Sequence, residues 1–325
     1  MRSGTATGLW FALLSAASFG VSGPFAKSLL EIGWSPGAAV GVRIGGAALV
    51  LLVPVAIALR GRWGTVRRNA LTLIIYGATA IAFCQFFYFS AVQRMSVGVS
   101  LLLEYLAPVL IVGWLWVRSG RPPSRLTIGG SAIAMLGLLL VLDLTGDQRL
   151  DPIGVLYGLG AAVCLAVFFV MSAKADDDLP PLIMAGGGML VGALTILILG
   201  LIGVMPFAFE FRDVNLAGWQ TSWLVPVLAL VLIATVLAYV TGIFAARGLG
   251  SKVASFVGLT EVMFAVLSSW LILSELPSLI QLLGGALIVG GVILVRIDEL
   301  RRSKDSEDAL DQPNVVEPVP TNPTV

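Results

Sequence analysis

Three ionisable side chains stand well inside long apolar stretches of this sequence: Arg43, Glu104 and Glu261. A charge in hydrocarbon is costly, so each is a functional candidate. Taken as helices rising about 1.5 Å per residue, the stretches place Arg43 and Glu104 at similar depths, about 11–12 Å from their starts. A pair at matched depth would lower the cost of both charges. Three readings stay open: a stabilising pair that touches no ligand; a Glu104 that lines a cavity and takes an ammonium group or a proton; and an Arg43 that snorkels to the interface. Apart from Lys252, which falls on an inside segment at the start of its stretch, Glu261 has no basic residue in its own apolar stretch or in those on either side. It is either a proton site or a neutral structural acid held by a hydrogen bond.

Polar and aromatic side chains surround these three in the pattern. Ser96, Ser100, Glu104 and Pro108 recur every four residues, which puts them on one helix face. Pro108 lacks an N–H, so it frees the Glu104 carbonyl and kinks the helix. Gln85, Tyr88 and Phe89 lie on one stretch, Thr235 and Tyr239 on another, and Ser15, Ser18 and Ser22 on a third. Gln85, Tyr88, Ser100, Tyr239 and Thr235 join Glu104 as candidate cavity residues. Each has an alternative as a bond between neighbouring helices. Gly37, Gly41 and Gly45, with Gly129-Gly130 and Gly284-Gly285, mark close-packing surfaces within one chain. A homodimer is not required by them.

The stretches that must position these residues number ten: Gly8–Leu30, Pro36–Leu59, Asn69–Ala91, Ser96–Val117, Ser124–Leu142, Pro152–Ser172, Pro181–Val204, Thr221–Ala245, Ser251–Leu273 and Pro277–Val295. Each is near the length of about 20 apolar residues that crosses a bilayer. The first is too long for a cleaved leader and reads as a spanning helix. With the N-terminus in the cytoplasm, fifteen of the 20 Lys and Arg residues fall on inside segments; Lys27, Arg94, Arg149 and Arg212 fall outside. That bias fixes both termini as cytoplasmic. Residues 297–325 are polar, contain proline and read as a disordered cytoplasmic tail. The longest outer connection, Met205 to Gln220, carries Phe207, Phe209, Phe211 and Trp219. It reads as an interfacial aromatic stretch, with a substrate lid as the alternative.

Composition narrows the class. The chain is 58% hydrophobic and 12% charged, with a mean hydropathy of +0.96. Soluble domains carry about twice that charged fraction, so the partner solvent is lipid. A net charge of +1 gives a nucleic acid nothing to hold. The absence of histidine excludes His-dependent catalysis and His-ligated metal. Cys84 and Cys164 read as small packing residues. No cofactor or metal is expected.

The chain also resembles itself. At an offset of 155 residues SVGVS (Ser96–Ser100) falls on SKVAS (Ser251–Ser255), Pro122 on Pro277, Gly129-Gly130 on Gly284-Gly285, Ile133 on Ile288 and Leu139 on Leu294. At 146, GLWFALLSAA from Gly8 falls on GVLYGLGAAV from Gly154. The units are residues 8–142 and 152–296, five helices each. Five is odd, so the second copy enters the membrane from the opposite side. The expected fold is all-α and integral to the membrane, with ten transmembrane helices as two inverted repeats. Many secondary transporters are built this way.

Four segments carry a family resemblance: LSAASFGVSGPFAK, SPGAAVGVRIGGAAL, SAVQRMSVGVSLLLEYLAPVL and GLTEVMFAVLSSWLILSELPSLIQLLGGALIVGGVIL. They resemble the EamA-like family of the drug/metabolite transporter superfamily, over about residues 8–296. LLLEYLAPVLIV looks closest to its threonine/homoserine-exporter-like branch. The resemblance implies export of amino acids or other small metabolites across the inner membrane, from a cavity between helices three, four, eight and nine. The chain departs from the family at Glu261-Val262, where proline often follows the acid. It departs again at the Gly-Glu-Arg-like turn before the last helix of each repeat: only Ser274-Glu275-Leu276 approximates it, and Ser119-Gly120-Arg121 lacks the acid.

The expected function is therefore secondary transport by alternating access, with Glu104 and Glu261 as proton-coupling candidates. The lipid bilayer and a small-molecule substrate are the expected partners. No GxxxxGK[ST] loop is present to drive the chain with ATP. A multidrug or cationic-compound exporter is the alternative, with Glu104 as counter-charge. A membrane enzyme acting on lipid or prenyl substrates would need the Asp176-Asp177-Asp178 run as a metal cluster; that run reads instead as a solvated loop, so no enzyme activity is expected.

Overall fold

The structure is a computed structural model describing residues 2–60, 63–95, 97–142, 151–174, 179–216, 218–273 and 278–310. Ser96, the Asp176–Asp178 run and Ser274 to Pro277 lie outside the described residues, as do residues 311–325.

The apolar stretches fold as helices, and local chemistry sets their starts. In chain order these are α1 (Arg2–Gly20), α2 (Ser22–Glu31), α3 (Pro36–Ala58), α4 (Trp63–Arg68), α5 (Ala70–Ile75), α6 (Cys84–Val92), α7 (Val97–Glu104), α8 (Ala107–Ser119) and α9 (Arg125–Val141). The second half continues with α10 (Pro152–Ala173), α11 (Pro181–Leu201), α12 (Leu224–Leu228), α13 (Ala238–Gly258), α14 (Thr260–Leu273) and α15 (Leu279–Leu310). Ser35, Ser124 and Asp151 cap α3, α9 and α10 by accepting from Ala38, Thr127 and Gly154 backbone N–H groups. Pro36, Pro152 and Pro181 occupy first turns, where no N–H is missed.

Among the described residues, eight helical segments are long and apolar enough to cross a membrane, and two shorter apolar helices, Arg125–Val141 and Thr260–Ile272, accompany them. Two spans contain π-helical segments: Tyr76–Phe83 joins α5 to α6, and Ala229–Leu237 joins α12 to α13. The offset of 155 residues brings these two segments into near register.

Two spans are also broken. α7 ends at Glu104, and α8 opens three residues later, at Ala107, with Pro108 in its first turn. This is the interruption expected at Pro108. The longest apolar segment, Leu224–Gly258, is interrupted at Gly250, whose φ of 77° suits glycine. At Leu259 the hydrogen-bond pattern shifts, with its N–H on the Phe256 carbonyl, before α14 begins; the missing side chain of Gly258 makes room for the Phe169 ring.

Glycine also governs packing between helices. A Cβ on Gly137 would lie 2.6 Å from the Gly284 carbonyl oxygen, and one on Gly284 would lie 2.6 Å from that of Gly137. Gly130 and Gly291 meet in the same way, so α9 and α15 touch backbone to backbone. Gly285 faces Met263, Gly37 the Pro206 carbonyl and Gly41 the Phe207 ring, whereas Gly45 and Gly129 have open space. The largest core cluster centres on Ile44, Tyr76, Ile81, Ile183, Met184 and Met189, joining α3, the first π segment and α11.

The connection between α11 and α12 carries a short hairpin. Val214–Leu216 (β1) and Trp219–Thr221 (β2) pair antiparallel. Trp34 Nε1 donates to the Glu210 carbonyl at 2.5 Å, and its ring meets Phe209, Phe211 and Trp223. The connection thus packs on the turn between α2 and α3.

α15 runs past the apolar boundary. Residues 297–310, read as disordered, continue α15 as helix. Their Glu, Leu, Arg, Lys and Ala residues are good helix formers. Asp298 and Arg302 pair one turn apart, 3.3 Å between Nε and Oδ2. Asp298 also ties the helix to α9, so the span does not end at the apolar boundary.

Candidate functional site

A cavity of about 510 Å³ lies among the helices. It runs from Ala12, Ala245 and Ala254, which are buried, to Lys27 and Leu30, which are exposed. Its volume is in the range of small-ligand sites.

Each broken or π-distorted span delivers side chains to it. The first π segment leads into Cys84, Gln85 and Tyr88 on α6. α7 contributes Leu101 and Glu104, the break contributes Tyr105, and α8 contributes Pro108. The second π segment leads into Tyr239 and Gly242 on α13, and α14 begins with Glu261 in its first turn. Arg43 enters from α3. Gln85, Tyr88, Glu104, Tyr239, Glu261, Arg43 and Pro108, all singled out from sequence, therefore converge on one space.

Two candidates stand outside it. Ser100 is fully buried and does not line the cavity. Thr235 is fully buried behind Arg43, accepting from its Nε at 2.9 Å and donating to the Leu230 carbonyl at 2.7 Å. Arg43 Nη2 also donates to the Ala234 carbonyl at 3.3 Å. The guanidinium is thus held by the π segment, neither snorkelled outward nor paired with Glu104. Among the described residues no ion pair joins Arg43 to Glu104.

Glu104 instead accepts from Cys84 Sγ at 3.4 Å. The Tyr105 hydroxyl faces Glu261, and Tyr88 lies within electrostatic reach of both carboxyl groups. The walls are aromatic. Tyr239 meets Phe19 at 4.9 Å and Phe168 at 5.5 Å, both edge-on.

Sequence reasoning missed Cys84, Tyr105, Phe19 and Phe168. Cys84 sits four residues before Tyr88, on the same helical face, and that spacing could have placed it in the cavity. Phe19 and Phe168 carry no polar signal to separate them from lipid-facing aromatics. The cavity also draws on α1, α3 and α10, beyond the four helices that the resemblance implied. None of the described residues of the outer connection lines it.

The geometry defines a multi-pass helical membrane protein with a charged, aromatic-walled internal cavity. The EamA-like transporter family matches this chain twice, over residues 6–143 and 152–297. The chain belongs to that family. It is 27% identical to the threonine/homoserine exporter RhtA of Escherichia coli K12 over 289 residues, covering 87% of this chain and 90% of that one. It is 24% identical to an uncharacterized inner membrane transporter, YicL, of Salmonella typhimurium, covering 73% and 77%. A solved crystal structure shares the fold with a TM-score of 0.69 at 20% identity, over 91% of this chain and 98% of that chain.

Proposed function

We propose that this protein is a secondary transporter exporting amino acids or related small metabolites by alternating access. In this reading ten spans form two inverted five-helix repeats in the inner membrane, with both termini cytoplasmic. The observation that carries it is one cavity holding Arg43 together with Glu104 and Glu261, with no ion pair between Arg43 and Glu104 among the described residues. Charges of opposite sign that do not neutralise each other suit a zwitterion, whose carboxylate and ammonium replace the missing partners. The twofold family match and the named function of RhtA support the reading.

The test is reconstitution into proteoliposomes with a metabolite panel that includes threonine and homoserine, with and without a pH gradient. Counterflow of at least one amino acid is expected, faster with the gradient. A panel in which no amino acid moves while toxic organic cations do would replace this reading with the cation-exporter one. The two carboxyl groups and the aromatic walls favour that alternative. Proton coupling at Glu261 predicts that Glu261→Gln loses gradient-driven uptake; full retention would remove Glu261 from the coupling.

A further inference from the structure

We infer that residues 251–258 form a hinged floor segment that closes the cavity at one end and is latched shut by Lys252 on Asp298 and Glu299. The inference rests on the transporter reading, since a floor that opens supplies the second access route.

The segment is bounded by two interruptions. Gly250, at φ 77° and ψ 161°, breaks the helix before it; after it Leu259 keeps helical angles, but its N–H shifts to the Phe256 carbonyl and tightens the turn ahead of α14. Nothing lies within 4 Å of a Cβ built on Gly250, so the glycine answers to backbone conformation rather than to packing. A few residues at element ends that absorb backbone rotation are what a hinge requires. Between the breaks, Ala254, Ser255 and Gly258 form the cavity floor. Glu261 begins the next segment, one turn beyond, so floor and carboxyl group are mechanically adjacent.

The latch lies beneath. Lys252 Nζ is 2.6 Å from Glu299 Oε2, 3.3 Å from Asp298 Oδ2 and 3.4 Å from Thr127 Oγ1. Asp298 is 4% exposed and also accepts from the Ser124 and Thr127 hydroxyls, the latter at 2.6 Å, and from Arg302. One lysine thereby fastens the floor to the start of α9 and to α15. Bonds of this charge-assisted kind are strong and directional. Asp298 and Lys252 each hold several of these contacts, so neutralising either one loosens the knot at more than one point. Its edge reaches solvent at Glu299, whose side chain is 37% exposed, so water can receive the charges when the knot parts.

The test needs no knowledge of the cargo. Cys84 and Cys164 are replaced by serine, and Ala254→Cys reports on the floor. Sealed vesicles of each orientation are treated with a membrane-impermeant maleimide. From the face that carries Lys252, labelling is expected to be slow with the latch intact and about tenfold faster or more in Asp298→Asn and Lys252→Met, as a shifted closed–open population requires. Lys252→Arg is expected to stay within about twofold of the parent, since it keeps the charge. Unchanged labelling in both neutral variants, at parental protein levels, overturns the inference. Where those variants fail to accumulate, Glu299→Gln removes the shortest Lys252 contact at a part-exposed site. A raised rate there supports the latch, and a parental rate overturns it. A reconstitution that finds no cargo leaves this readout untouched, so the two failures are told apart.

Discussion

The broken span α7–α8 and the broken span from Ser251 through α14 occupy matching places at the 155-residue offset, yet they are fastened differently. Both breaks set a glutamate in the cavity: Glu104 closes α7 and Glu261 opens α14. Around α7 the contacts are apolar. Met95 and Val99 pack with Val155 and Tyr157, and Leu103 sits on Gly158. The ion pair near its start, Arg94 with Asp151, is long at 3.7 Å and exposed. The offset places Val97 opposite Lys252, so the first copy has no lysine for a latch. Apolar surfaces can slide apart by degrees; a buried ionic knot cannot. The second copy of the same break is therefore held shut at the end where the cavity is closed.

This contrast predicts an order of effects. Asp298→Ala is expected to have the largest, because it removes the acceptor shared by two hydroxyls, Lys252 and Arg302, and leaves Lys252 only Glu299 and Thr127. A loss of about 3–5 kcal/mol is expected for breaking a buried pair, read as thermal unfolding in detergent. Gly158→Ala probes the apolar side. Its Cβ would meet Leu103 Cδ1 at 2.7 Å, and overpacking of this kind costs about 1–3 kcal/mol. An equal or greater loss than for Asp298→Ala would reverse the contrast. Thr235→Val removes the acceptor that holds Arg43 Nε and is expected to weaken substrate counterflow by about tenfold, corresponding to about 1.4 kcal/mol for a hydrogen bond to a charged group. Counterflow at the parental concentration dependence would show that Arg43 needs no such hold. Arg94→Gln should do least, under about 1 kcal/mol, as an exposed pair does. Raised salt should erase even that difference while leaving the Asp298 variant distinct.

Much of this site was legible in the sequence because lipid makes charge conspicuous. Arg43, Glu104 and Glu261 stood out as three exceptions in long apolar runs, and the cavity formed where they meet. Register was the weak point. Thr235 and Tyr239 are four residues apart, which in an α-helix puts both on one face. The π segment Ala229–Leu237 changes that register. Thr235 bonds five residues back to Leu230 and turns away from the cavity, while Tyr239 faces it. Asp298 escaped for another reason. It follows the last apolar residues and looked like the start of a solvated tail, and only the tertiary fold sets Ser124, Thr127 and Lys252 around it. Gly250 and Leu259 gave no proline signal, so the two breaks in the second copy were invisible beside the one at Pro108.

The seam between α9 and α15 has a consequence of its own. Each of these helices closes one of the two family-matched regions, and at Gly130, Gly137, Gly284 and Gly291 their backbones meet with no room for even a methyl group. Carbonyls and the side chains of Val141, Leu287, Leu294 and Val295 fill the space at these glycines, so a contact this close leaves little slack between the helices. The two regions are riveted together along this line and cannot part as whole blocks. Any rearrangement of the cavity must pivot about that rivet, which makes the seam the fulcrum of the molecule rather than a face that opens.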